Sequence, residues 1–383
     1  MSRLPFKYTP KYLLHETIKW TEYGMQRGLI YLLRLLLPRR RALLSQIEFH
    51  KAKVLFLRQN QIGDALISTP IFTALKRHYP TIQLDVLLDR RNATALAGNP
   101  HLHTHYVIKQ KKFDLLDALC AIRKAQYDIV VDLIHSASTT STLICLFSGA
   151  RVICGFERQN DFVYDAKVKL PAGKRMMRQL AEILRLFNID PDAEPLEPYF
   201  FISDASRAFA EKMLSTWREK TERLVIGLNI SASSLTFKFW GTENFVALAQ
   251  HLKARLPDAT LLILYAKDYA GFAKEIAQQS GAVLSEATPT LSDFAAVISM
   301  LDALITPDSA AVHFADIFRV PSLILTHLPE GETAWYPSFT VFKALHGRDG
   351  RVASIPLQDV LAASDEFLQM LLSESKKSNG TIA

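Results

Sequence analysis

The sequence predicts an α/β protein of two Rossmann-like domains facing each other across a cleft, preceded by a basic helical arm. Three observations predict it. From Lys53 onward, short apolar runs alternate with helical stretches in two series of similar size. A proline- and acid-rich stretch, "FNIDPDAEPLEPYFFI", separates the two series. Excess positive charge is confined to the first 53 residues, which hold eleven Lys/Arg against three acids. Strands alternating with helices imply βαβ units and a parallel sheet covered on both faces. Ligands of such sheets sit beyond the carboxyl ends of the strands, so residues just after strands are the ones to weigh.

The arm comes first. Of the formal net charge of +7, the chain beyond residue 53 contributes almost none, with 34 basic and 35 acidic residues. A nucleic-acid partner for the body therefore has no support. Within the arm, "GLIYLLRLLLPRRR" sets an apolar run, interrupted by Arg34 and ended by Pro38, against Arg39, Arg40 and Arg41. A span needs roughly 20 predominantly apolar residues, so residues 1–52 fit better as a helix lying on an anionic membrane surface. The competing reading is a helix packed on the protein's own body or on a second subunit. No secretory signal is visible, and Cys120, Cys145 and Cys154, without CxxC spacing, read as buried thiols of a reducing compartment. With 383 residues, 49% of them apolar, the chain can build a core for each domain.

The first series, residues 53–190, places strands at Lys53–Arg58, Gln83–Leu88, His105–Ile108, Ile129–Leu133 and Val152–Cys154. Helices are expected at Ala65–His78, Leu115–Ala125 and Thr139–Phe147. The second, within residues 191–345, places strands at Leu224–Asn229, Thr260–Leu264, Val283–Leu284, Ala303–Ile305 and Ser322–Leu325. Its helices are expected at Thr242–Arg255, Tyr269–Gln279, Leu291–Ser299 and Ser309–Phe318.

Four loops after strands are unusually polar. In "RQNQIGDAL" a carboxylate, Asp64, follows Gly63 where a strand hands over to a helix. Asp64 suits a helix cap, and equally a base at the mouth of a cleft. "DLIHS" puts Asp132, His135 and Ser136 at the end of another strand. "GLNISASSLTFKFW" offers Asn229, Ser231, Ser233 and Ser234 and ends near Lys238. "ITPDSAAVHFAD" turns a strand into a helix through Asp308, Ser309 and Ala310, with His313 one turn on. Hydroxyls and free N–H groups at a helix start favour an anion, and a lysine could neutralise a departing diphosphate. Asp308 could equally be only an N-cap, His313 only a packed residue, and the serines plain loop solvation. Their joint occurrence in one domain favours the anion site.

Other chemistries lack their motifs: there is no GxGxxG after a strand, no Walker A, no HExxH and no GxSxG. Asp190-Pro191-Asp192 has the DxD form that manganese-dependent sugar transferases use, but in the proline-rich connection it reads as a solvated turn. No metal or cofactor is expected.

"FLRQNQIGDALISTPIFTALKRHYP", "KFW" after a hydroxyl-rich loop and "ITPDSAAVHFADIFRVPSLIL", in this order, resemble the signatures of family 9 glycosyltransferases, the lipopolysaccharide heptosyltransferases. The resemblance covers most of residues 53–340. It implies a GT-B fold, with an acceptor-binding domain over 53–190, a nucleotide-sugar-binding domain over 191–345, and a last helix within 346–383 crossing back. It also implies inverting, metal-independent transfer from ADP-heptose to the lipopolysaccharide core. Asp64 matches the family's proposed base, with Gly63, Asp132, His135 and Ser136 on the acceptor side. Lys238 matches its phosphate-binding lysine, and Asp308, Ser309 and His313 match its donor turn. Ala310 stands where the family usually has Gly, and Asp268 is the nearest candidate for a carboxylate beside the nucleoside. The implied place is the cytoplasmic face of the inner membrane. Rival readings are a transferase of another nucleotide sugar and a catalytically silent carbohydrate-binding or assembly protein of the same fold.

Overall fold

The computed structural model describes residues 27–32, 34–36, 42–108, 112–136, 138–218 and 224–379. The Arg39–Arg41 cluster and the basic residues before Arg27 lie outside these.

The first domain runs β1 (Lys53–Leu57), α1 (Ile62–Leu66), α2 (Thr69–His78), β2 (Gln83–Asp89), β3 (Thr104–Ile108), α3 (Lys112–Ala125), β4 (Ile129–Asp132), α4 (Thr139–Phe147), β5 (Val152–Phe156), β6 (Ala166–Val168) and α5 (Met176–Ala181). After the connection come α6 (Asp204–Arg218), β7 (Val225–Asn229), α7 (Leu235–Lys238), α8 (Thr242–Arg255), β8 (Thr260–Leu264), α9 (Ala270–Ser280), β9 (Val283–Leu284) and α10 (Leu291–Ile298). The chain finishes with β10 (Ala303–Pro307), α11 (Ala310–Ile317), β11 (Ser322–Thr326), β12 (Phe342–His346) and α12 (Leu357–Asn379).

Each domain holds a six-stranded parallel sheet, ordered β3-β2-β1-β4-β5-β6 and β12-β11-β10-β7-β8-β9. Val54 to Leu57 are fully buried, as a strand covered on both faces requires. Phe56 lies beside Val86 on one side and Val131 on the other, and Ile305 lies beside Leu323 and Leu228. The winding reverses between β1 and β4 and between β7 and β10. Crevices open beyond the carboxyl ends of these central pairs. The four polar loops follow these four strands.

Several elements differ from expectation for local reasons. The single helix expected over Ala65–His78 is two. Pro70 has no N–H to give the carbonyl of Leu66, so α1 stops and α2 restarts with proline in its first turn. Strands β6 and β12 were not anticipated; both are edge strands without a continuous apolar run. Cys120 lies on an exposed face of α3, against the expectation of three buried thiols, while Cys145 and Cys154 are buried. The last helix packs on the second domain. Val360, Ala363, Phe367 and Leu368 form a stripe at helical spacing that joins the core of the second domain against α8 and β12.

A contiguous apolar cluster runs through both domains, joining Ile71, Leu180 and Phe187 to Phe200, Leu214, Val297 and Phe314. Within it α6 packs on α10. The described part of the arm, residues 27–32 and 34–36, is helical. Ile30 is only 1% exposed and joins Leu55, Tyr127 and Ile153 in a further core cluster. Arg27 lies over the Phe162 ring, whose centroid is 5.9 Å from that of Tyr31. The packed-helix reading thus holds for one face, while Leu29, Leu32, Leu35 and Leu36 on the other are exposed.

Candidate active site

The two crevices face one another and enclose a cavity of about 710 Å³. Gly63 and Asp64 line it from the first domain. Asn229, Ser231, Ser233, Lys238, Asp308, Ser309, Ala310 and His313 line it from the second.

Asp64 sits in the first turn of α1 and is 7% exposed. Its Oδ2 accepts the backbone N–H of Gln61 at 3.1 Å, a capping-box bond to the residue before the helix. Its Oδ1 faces Nη2 of Arg58 at 3.4 Å. Arg58, the residue after β1, is wholly buried. It donates from Nε to the carbonyl of Asp64 at 2.8 Å and from Nη1 to the carbonyl of Leu133 at 2.6 Å, so one guanidinium ties the loops after β1 and β4. Burial depresses it below the ordinary arginine range, opposed by the charges of Asp64 and Asp132. Asp64 thus supplies one bond of the capping box of α1 and lines the cleft.

In the second domain, Nζ of Lys238 donates to Oδ2 of Asp308 at 2.8 Å, and Nδ1 of His327 lies 3.2 Å from the same oxygen. Burial would raise the Asp308 carboxyl, but His327 and Lys238 outweigh it and hold it down to about 2. Asp308 is not the cap. Ser309 is, its Oγ accepting the N–H of Ala311 at 3.3 Å. Asn229 braces the two central strands, donating to Oγ1 of Thr306 at 2.9 Å and to the carbonyl of Ser231 at 3.0 Å. The Oγ of Ser231 accepts the N–H of Ala266, fixing the loop after β8. Burial lowers the His313 imidazole, with Asp308, Asp64 and Asp316 pulling weakly the other way, so it is neutral near pH 7.

Trp335 closes the cleft from the loop before β12. Its ring lies 5.9 Å from His135 of the first domain and 6.5 Å from His313 of the second. That loop is pinned twice. The Asp316 carboxylate accepts the N–H groups of Ser338, Phe339 and Thr340, at 2.6 Å for Phe339. The N–H of Met176 and the guanidinium of Arg175 donate to the carbonyls of Ala334 and Thr333.

Not every expected residue reaches the cavity. Asp132 is fully buried and engaged by Arg158 at 2.6 Å, the Tyr164 hydroxyl at 2.9 Å and the N–H of Ile134 at 3.0 Å, so it braces the fold. The Ser136 carbonyl accepts from Arg158, and Ser136 itself faces outward. Ser234 caps α7, and Asp268 is exposed and off the cavity, whose wall there carries Lys267 instead. Asp190 and Asp192 pair with Arg185, and Asp192 also with Lys174, at the surface. The reading of the sequence missed Arg58, Gln61, His327 and Trp335. Arg58 carries a signal, since a charged residue closing an apolar central strand must find a partner. Trp335 carries none, because it arrives on a long loop.

A family model described as glycosyltransferase family 9 (heptosyltransferase) matches residues 118–326. The chain is 25% identical over 338 residues to lipopolysaccharide heptosyltransferase 3 of Escherichia coli, covering 80% of this chain and 96% of that one. It shares its fold with the family 9 glycosyl transferase of Veillonella parvula DSM 2008 (TM-score 0.72, 17% identity, 85% of this chain and 99% of that one). The E. coli ADP-heptose lps heptosyltransferase II has the same fold (TM-score 0.65, 18% identity, the same coverage).

Proposed function

From the premise that this chain belongs to glycosyltransferase family 9, the heptosyltransferases, we propose that it transfers heptose from ADP-heptose to a hydroxyl of the lipopolysaccharide core, with inversion and without a metal. The observation that carries this reading is that Asp64 from the first domain and Lys238 and Ser309 from the second line one cavity. An acceptor hydroxyl on the Asp64 side attacks the anomeric carbon from the face away from the diphosphate. Oδ2 of Asp64 takes the hydroxyl proton as the new C–O bond forms. The bond to the diphosphate breaks with its electron pair and leaves ADP. Lys238 and the start of α11 meet the charge that grows on the leaving group, work that a divalent cation does in other transferases.

The test is Asp64→Asn. Asparagine also caps helices well, so a capping role alone predicts near-normal turnover. A base predicts unchanged donor binding by calorimetry and turnover lower by on the order of 10² or more. Wild-type turnover in the variant would remove the assignment. A second reading, another nucleotide sugar as donor, is favoured by Lys267 at the wall where Asp268 was expected. Calorimetry with a panel of nucleotide sugars separates the two.

The enzyme works, on this proposal, as a peripheral protein on the cytoplasmic face of the inner membrane. No helix among the described residues is long and apolar enough to cross a membrane. The leucines exposed on the arm support surface attachment, which shallow apolar insertion and basic residues together would supply.

A further inference from the structure

We infer that Arg58 is the positioning residue of Asp64: its guanidinium sets the plane of the carboxylate so that Oδ2 alone is presented to the acceptor. The inference rests on the proposed role of Asp64 as base. Three observations carry it.

First, Arg58 is a wholly buried charge, and such a charge persists only where ionic and hydrogen-bonding partners compensate it. Asp132, whose charge also acts on Arg58, is held by Arg158, Tyr164 and Ile134, and Asp64 is the carboxylate within ion-pair distance of Arg58. Second, the fork is anchored at two points. Nε holds the carbonyl of Asp64, Nη1 holds the carbonyl of Leu133, and the rigid plane between them directs Nη2 at Oδ1 of Asp64. Nη2 and Oδ1 are both buried and neither makes a hydrogen bond among the described residues, so at 3.4 Å they meet as an ion pair. Third, with Oδ1 buried against Arg58, Oδ2 is the carboxylate oxygen left for the cavity. It spends one lone pair on the N–H of Gln61 and keeps acceptor capacity for a hydroxyl. A general base needs its accepting oxygen fixed within hydrogen-bond reach of the proton it removes, and here Arg58 holds one carboxylate oxygen and Gln61 the other.

A lysine at 58 keeps the charge and loses the fork. The experiment is a double-mutant cycle on the full chain with ADP-heptose and a delipidated core acceptor. It compares wild type, Arg58→Lys, Asp64→Asn and the double variant. Turnover is expressed per ADP-binding site, so that loss of folded protein is divided out. Arg58→Gln, which leaves no uncompensated cation behind, is run in the same cycle should the lysine variant not fold. The expected result is a loss of about tenfold or more in kcat for Arg58→Lys, with KM for both substrates little changed. In the Asp64→Asn background the same change costs less than about twofold, because a residue acting through Asp64 has nothing left to act on. Equal fold-losses in both backgrounds, or a rise in KM at constant kcat, overturn the inference and leave the base assignment standing. Full turnover in Asp64→Asn removes the base assignment and this inference with it.

Discussion

Gly63 and His313 meet across the cleft with no space for a side chain between them. A methyl group on Gly63 would lie 2.3 Å from Cδ2 and 2.4 Å from Nε2 of the imidazole. The close approach brings the Asp64 turn and the Ser309 turn to one cavity, so glycine is needed at 63 for room.

Gly63→Ala therefore forces the His313 ring out of its place against Trp335. Overpacking of this kind costs about 1–3 kcal/mol. The variant is expected to melt earlier and to turn over at least ten times more slowly, measured by thermal denaturation and a transfer assay. Unchanged values for both would mean that the ring swings aside freely.

Lys238→Ala removes a lysine charge that lies against both Asp308 and the cavity. Losing a charge-assisted hydrogen bond costs about 1.5–3 kcal/mol. Calorimetry should show ADP binding weakened by that amount, with the melting temperature kept. Full affinity would place the diphosphate elsewhere.

Acid should destabilise the fold in two steps. Burial lowers the imidazoles of His101, His105, His135 and His313 from the ordinary value of 6.5. Just below pH 6.5 the unfolded chain therefore binds protons that the folded one refuses, and stability falls as pH drops through 6.5 towards the folded values. Asp308, ordinarily near 3.8 and held at about 2, contributes stability that is present above 3.8 and lost between the two. Urea midpoints should thus be lower at pH 5.5 than at pH 7.5, and His313→Asn should shrink that difference. An unaltered difference would mean that other groups carry it.

Asp316→Ala strips three backbone N–H groups of their acceptor at the base of the Trp335 loop. Leaving such donors unpaired should cost about 3 kcal/mol in chemical denaturation. Asn, which keeps one acceptor oxygen, should recover part of the loss. Equal losses for Ala and Asn would point to the charge of Asp316 rather than its geometry.

The arm should hold the protein on anionic vesicles by insertion as well as by charge. Changing Leu29, Leu32, Leu35 and Leu36 to Ser should reduce co-sedimentation while leaving transfer to a soluble acceptor intact. Raising salt should weaken binding of the unmodified chain without abolishing it. Truncation at Lys53 should cost stability too, because Ile30 is part of the core.

Both sheets were legible because parallel strands buried on two faces leave continuous apolar runs, as in Val54 to Leu57. Their edges were not: β6 and β12 are half-exposed and mix polar residues with apolar ones. The site was legible wherever a loop directly follows a central strand, as at Asp64 and Asp308. It was not where assembly depends on distant segments, as at Trp335. Residue type misled at Asp132, which has the chemistry of a site residue but is spent on Arg158 and Tyr164. At Asp308 the sequence left cap and anion site open, and the structure gives the cap to Ser309.

The indole of Trp335, set between an imidazole of each domain, gives the molecule its own optical gauge. Its emission depends on the quenching neighbours and water around it, so any change in the gap between the lobes alters the signal without an added dye. Trp240 is fully buried and donates to the carbonyl of Ile355, which makes its emission a steady background. Subtracting the spectrum of Trp335→Phe from that of the unmodified chain would isolate the gauge. Opening and closing could then be followed in real time as each substrate is mixed in.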